Sequence, residues 1–92
     1  MLNKLTALIE DRKINPVEGS YTNQLLAEGE DVILRKVGEE AVEIILAAKS
    51  QGDQRLIEEI SDLIYHLLVL LAARNLTFDN IEAELKRRHT EA

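Results

Sequence analysis

Ninety-two residues suffice for one domain, and a chain this short buries only about two-thirds of the surface its unfolded form exposes, so self-association would help it. Hydrophobic residues make up 46% of the chain and aromatics only 3%, so a core must be built from Leu, Ile, Val and Ala, a mixture that favours helices. Eleven basic against 17 acidic residues leave a net charge of -6, which argues against a nucleic-acid partner, and the absence of cysteine excludes disulfides, thiolate metal sites and a cysteine nucleophile.

In chain order, Leu2, Leu5, Leu8 and Ile9 recur at helical spacing up to about Ile14, because Pro16 disfavours helix in the residue before it. No uninterrupted apolar run follows a basic start in Met1 to Asp11, so the expected location is the cytoplasm. Asn15 to Thr22 carries turn formers and reads as loop, followed by a short helical stretch from Asn23 to Glu28 that Gly29 closes.

From Glu30 to about Ser50, the residues Ile33, Leu34, Val37, Ala41, Ile44, Ile45 and Ala48 mark the apolar face of a long helix. Gln51 and Gly52 break it, and Asp53 is a good N-cap for a second long helix from about Gln54 to Arg74, with Asn75 able to take a left-handed cap. Thr77 then caps a last helix to roughly His89. No strand pattern, internal repeat or low-complexity segment is visible. The apolar stretch Leu63 to Ala73 falls well short of the ~20 residues of a membrane span. It leaves almost no polar face, so the reading is a single all-α domain over 1–92, an antiparallel helical bundle completed by homodimerisation, with this helix at the dimer centre.

At about 100° per residue, Lys36, Glu39, Glu40 and Glu43 fall in one wedge of the first long helix, and Glu59 and Asp62 lie about 60° apart on the second. A short connection makes the helices antiparallel, so the wedges can face each other. Carboxylates packed together without a counter-charge are expensive, and hard oxygen ligands without Cys suit Mg²⁺ or Mn²⁺, which bridge carboxylates to substrate phosphates. The competing reading is a solvated acidic face: Glu-Glu-x-x-Glu is common in acidic proteins, and Arg35, Lys36 and Arg55 stand four residues before Glu39, Glu40 and Glu59. The second wedge tips the balance, because it leads into the most apolar segment of the chain. His66 and Tyr65 read either as core residues or as functional ones. Arg87, Arg88 and His89 read either as partners of the helix dipole or as a phosphate-holding set.

Glu39, Glu40 and Glu43 followed by Glu59 and Asp62 form the Glu-Glu-x-x-Glu and Glu-x-x-Asp pattern that resembles the all-α nucleotide pyrophosphohydrolase superfamily. The stretches EGSYTNQLLAEGEDVILRKVGEEAVEIILAAK (18 to 49) and DLIYHLLVLLAARNLTFDNIEAELKRRH (62 to 89) resemble one family within it, phosphoribosyl-ATP pyrophosphohydrolase. That resemblance implies a Mg²⁺-dependent, dimeric helical enzyme of the second step of histidine biosynthesis, turning phosphoribosyl-ATP and water into phosphoribosyl-AMP and pyrophosphate. By position it implies Glu40, Glu43, Glu59 and Asp62 as metal ligands and Glu39 as the group that orients them or activates water. It also sets Ser20, Tyr21, Thr22 and Lys36 near a small-molecule nucleotide. A cyclohydrolase domain is fused to this one in many organisms; these residues contain none, so the next step is expected on another chain. Two rivals stand beside this reading: a house-cleaning hydrolase of other nucleotides from the same superfamily, and a helical dimerisation module whose acids only solubilise it.

Overall fold

A computed structural model of the chain describes residues 1–89, so positions 90–92 of the expected domain lie outside it. The described residues form five helices and no strand: α1 (Leu2–Ile14), α2 (Tyr21–Glu28), α3 (Glu30–Ser50), α4 (Asp53–Ala73) and α5 (Phe78–Arg88). None is long and apolar enough to cross a membrane.

The long helices α3 and α4 form an antiparallel hairpin. Gln51 and Gly52 join one pair of ends, and at the other the Arg74 guanidinium grips Glu30, with Nη2 donating to Oε2 at 3.1 Å. Gly52, rather than the expected Asp53, occupies the N-cap of α4: the reversal needs φ of 87°, which glycine takes without a Cβ penalty, and Asp53 becomes the first helical residue. The acid still serves there, its charge facing the positive end of the helix dipole. Asn75 takes the left-handed conformation expected of it, at φ 60°.

Helix α2 starts two residues earlier than the sequence pattern suggests. Ser20 Oγ accepts from Asn23 N at 3.2 Å, a cap worth about 1 kcal/mol, and this pulls Tyr21 and Thr22 into the helix. Asn23 then fixes the preceding loop, donating to the Arg12 carbonyl at 2.7 Å and accepting from Val17 N at 2.8 Å. Lys13 ties the end of α1 to the end of α4 through the Ala72 carbonyl (2.7 Å) and Asn75 Oδ1 (2.6 Å). Thr77 and Asn80 form a reciprocal capping box on α5.

The core gathers where α1 and α2 cover the start of α3 and the end of α4. Ile9, Leu25, Ile33, Leu68, Val69 and Ala72 are buried there, each large aliphatic side chain contributing roughly 1.5–3 kcal/mol. The far half of the α3–α4 hairpin is different: Ala47 and Glu59 are buried, while Val42, Ile45, Leu46, Ile57, Ile60 and Ile64 stay exposed. The stripe expected on α3 therefore divides. Ile33, Val37 and Ile44 turn inward, whereas Leu34, Ala41, Ile45 and Ala48 face out, and Ala47, outside that stripe, is buried in place of Ala48. The run Leu63 to Leu71 divides likewise, with Leu68 and Val69 covered by the chain's own helices and Ile64 and Leu67 exposed.

Candidate carboxylate metal centre

The hairpin brings the two acidic wedges face to face. Glu40 and Glu43 from α3 and Glu59 from α4 each offer a carboxylate oxygen, and the three oxygens lie within 4.8 Å of one another. Glu43 follows Glu40 by three residues, almost one turn, so the two share an edge of α3, and Glu59 projects between them. Glu59 is buried, and Oε2 of both Glu40 and Glu59 is enclosed with no hydrogen-bond partner.

Three carboxylates this close cannot all carry charge comfortably. Burial, the hydrogen bond with Glu59 and the charges of Asp62, Glu59 and Glu43 push the Glu40 carboxyl up to about 7. The Glu59 contact likewise raises Glu43, and Glu59, accepting from both neighbours and facing Arg55, is lowered. Arg55 supplies the positive charge within the cluster, its Nη2 lying 2.5 Å from Glu59 Oε1 while Nη1 holds Glu58 at 2.6 Å.

The other candidates divide. Asp62 is exposed one turn along α4, outside the group of three but near enough for its charge to raise Glu40. Glu39 is half exposed and pairs with Arg35 at 3.5 Å. Lys36 is partly buried on α3, four residues before Glu40. Ser20 is engaged as a helix cap, and Thr22 is buried with its hydroxyl bonded to that of Tyr65. Tyr21 reaches the cluster indirectly: its hydroxyl lies 2.9 Å from His66 Nε2, and His66 Nδ1 lies 3.9 Å from Glu40 Oε1. Arg87 and Arg88 both bind Glu84 of their own helix, with Arg87 Nη2 at 2.6 Å and Arg88 Nε at 2.7 Å, and His89 caps α5. Glu84, the partner of both arginines, lies outside the carboxylate cluster.

Arg55 and His66 are the neighbours that sequence reasoning undervalued. Arg55 was legible as a residue one turn before Glu59, but its reach into the cluster depends on Glu59 being buried. His66 carried only the weak signal of a polar residue inside an apolar run.

The donor set fits a hard divalent cation. It consists of carboxylate oxygens only, two of them enclosed and without a hydrogen-bond donor, in a site where a positive charge would relieve the repulsion that raises Glu40 and Glu43.

The family model described as phosphoribosyl-ATP pyrophosphohydrolase matches residues 2–89. The phosphoribosyl-ATP pyrophosphatase of Clostridium acetobutylicum is 54% identical over 89 residues, covering 97% of this chain and 81% of that protein. The phosphoribosyl-ATP pyrophosphatase of Listeria monocytogenes serotype 4b is 57% identical over 88 residues, covering 96% and 84%. The histidine biosynthesis bifunctional protein HisIE of Caldanaerobacter subterraneus subsp. tengcongensis is 55% identical over 89 residues, but this chain spans only 43% of its length.

Proposed function

Because the chain belongs to the phosphoribosyl-ATP pyrophosphohydrolase family, we propose that its carboxylate cluster is the Mg²⁺ site at which phosphoribosyl-ATP is hydrolysed. The activity is that of a phosphoribosyl-ATP pyrophosphatase of histidine biosynthesis, which releases pyrophosphate and leaves phosphoribosyl-AMP. The observation that carries the metal assignment is the convergence of Glu40, Glu43 and Glu59 within 4.8 Å, with two of their oxygens enclosed and unpartnered.

Glu40, Glu43 and Glu59 would hold the ion, with Mn²⁺ as a substitute, and Asp62 would complete the set from the exposed edge of α4. When bound, the ion supplies charge neutralisation for phosphate oxygens and for the departing pyrophosphate. Glu39 stands beside this set but in contact with solvent, which suits a carboxylate that accepts a proton from the attacking water. Its pairing with Arg35 limits where that carboxylate can swing. Lys36 lies on the same wedge and suits contact with substrate phosphates. Ser20, Tyr21 and Thr22, held at the start of α2 by the Asn23 bonds, form the proposed nucleotide-facing segment, and Arg87, Arg88 and His89 a second phosphate contact.

A homodimer belongs to the same reading. The far half of the hairpin leaves Val42, Ile45, Leu46, Ile57, Ile60 and Ile64 exposed, and apolar side chains gathered on one part of a surface favour a protein–protein contact. A cytoplasmic location is part of the same proposal, supported by the biosynthetic role that the name of the Caldanaerobacter relative carries.

The test is pyrophosphate release from phosphoribosyl-ATP with Mg²⁺, with chelator, and in competition with a panel of nucleoside triphosphates. Turnover of phosphoribosyl-ATP that requires the cation and exceeds that of every triphosphate is the expected result. Faster turnover of an ordinary triphosphate would overturn the substrate, and undiminished turnover in chelator would overturn the metal.

A further inference from the structure

His66 lies between the start of α2 and the carboxylate cluster, and nothing in the reaction described so far uses it. Its imidazole is buried, with 5% of its surface exposed, and is clamped edge-on by the rings of Tyr65 and Tyr21 at centroid distances of 5.5 and 5.9 Å. Its two nitrogens meet different surroundings. Nε2 faces the Tyr21 hydroxyl at 2.9 Å, whereas Nδ1 is enclosed without a hydrogen-bond partner and points to Glu40 Oε1 at 3.9 Å.

A neutral imidazole has one N–H and one lone pair, and which nitrogen carries the proton is set by the hydrogen bond the other one makes. If Nε2 held the proton, the lone pair of Nδ1 would face a carboxylate in a dry site, acceptor against acceptor. If the Tyr21 hydroxyl donates to Nε2, the proton sits on Nδ1 and is aimed at Glu40. The phenol can be relied on as that donor, because burial and the negative charges around it raise its pKa and keep it protonated. The separation of 3.9 Å exceeds a hydrogen bond, and a small rotation of the Glu40 carboxyl, whose Oε2 has no partner to lose, closes it.

We propose that His66 is a positioning residue for Glu40: the Tyr21 hydroxyl holds its imidazole in the Nδ1–H tautomer, and Nδ1–H orients the Glu40 carboxylate toward the cation. A metal-ligating group oriented by an outer hydrogen bond is a common requirement of such sites, and removing the outer partner typically weakens metal binding about 10–100-fold. Here the outer chain is two residues long and begins on Tyr21, the first residue of α2, so the nucleotide-facing segment and a metal ligand share one hydrogen-bonded line. The inference rests on the reading of Glu40 as a metal ligand.

The experiment has a metal-free arm and a metal arm. In the metal-free protein, long-range ¹⁵N–¹H correlation at mildly alkaline pH reports the tautomer of His66; a His89→Gln variant removes the signals of the other histidine. The expected result is the Nδ1–H form in the parent and a mixture of tautomers in Tyr21→Phe. The Nε2–H form in the parent overturns the proposal whatever the metal does. In the second arm, Mn²⁺ affinity is measured for the parent, Tyr21→Phe, His66→Asn and His66→Gln. Asparagine carries its amide nitrogen near the Nδ1 position and is expected to keep affinity within about threefold, whereas glutamine reaches toward the Nε2 position and is expected to lose about tenfold or more. Should the His66 variants not fold, a several-fold loss in Tyr21→Phe decides the question alone. Equal affinities across parent and variants overturn this inference and leave the metal assignment standing. A parent that binds no Mn²⁺ overturns the metal assignment itself.

Discussion

The Arg55 guanidinium lies 2.5 Å from Oε1 of Glu59, the buried acid at the centre of the cluster, although Arg55 itself is half exposed. A charged group on a solvent-facing arm thus faces a carboxylate that burial withdraws from solvent. Arg55→Gln leaves Glu59 facing Glu40 and Glu43 with no positive neighbour, and an uncompensated buried charge is costly. The variant is expected to melt lower than the parent in chelator and to gain more from added Mg²⁺, because a ligand that binds only the folded state raises Tm by mass action. Thermal melts of both proteins with and without Mg²⁺ check this. An equal or smaller Mg²⁺-induced shift in the variant would show that Arg55 is not the standing counter-charge.

Glu40→Gln replaces one of three mutually repelling carboxylates by an amide that donates to Glu59. Turnover of phosphoribosyl-ATP is expected to fall roughly 100-fold or more, since a ligand is lost where even an outer partner costs 10–100-fold. Asp62→Asn is expected to lose turnover too, with the fold of both variants kept by circular dichroism. In chelator, Glu40→Gln is expected to melt above the parent, because the group it removes is held at an unfavourable charge. A Tm well below the parent's would contradict the idea that this acid costs stability for the sake of function.

The same cluster sets a pH dependence in the metal-free protein. The Glu40 carboxyl rises from its ordinary 4.5 to about 7 on folding, so between those values the folded chain binds more protons than the unfolded one. Stability therefore falls as pH rises through that window, and the raised carboxyl of Glu43 acts in the same sense. Glu59 is lowered, so its contribution is present above the ordinary carboxylate range and is lost only at more acidic pH. Melts in chelator are expected to decline from about pH 5 to about pH 8, each kcal/mol lost corresponding to about 4–8 °C in a chain of this size. Mg²⁺ should abolish the decline, because it binds the deprotonated carboxylates. A Tm that rises over this range in chelator would refute the charge assignment.

Much of this was legible in the sequence because it depends on periodicity alone. Glu40 and Glu43 share an edge of one helix and Glu59 the facing edge of the next, and a two-residue connection leaves the helices little choice but to lie antiparallel. The line from Tyr21 to His66 was not legible, because it joins residues 45 positions apart and depends on where Ser20 starts α2. Nor could the pattern show that Leu34 and Ile45 face outward while Ile33 and Ile44 face in. The apolar stripe of α3 and the apolar run of α4 reveal that much must be covered, whereas which end α1 and α2 cover depends on contacts between residues far apart in sequence: Lys13 ties α1 to the end of α4, and Asn23 ties α2 to the end of α1.

That outward flank gives the last prediction. Ile45 on α3 and Ile57, Ile60, Ile64 and Leu67 on α4 recur at helical spacing, and all are exposed, at 59% for Ile45 and 58% for Ile57. A specific interface needs about 1,000 Å² or more of buried surface, and two hairpins meeting on this flank could supply it by completing a four-helix arrangement of long helices. Sedimentation of the parent is expected to give a dimer. A glutamate introduced at the centre of such an interface would be buried without a partner, so Ile45→Glu is expected to sediment as a monomer with a lower Tm. Arg87→Glu, on α5 and paired with Glu84, is the control expected to stay dimeric. A monomeric parent, or an Ile45→Glu protein that remains as dimeric as the parent, would place this apolar flank outside any subunit contact.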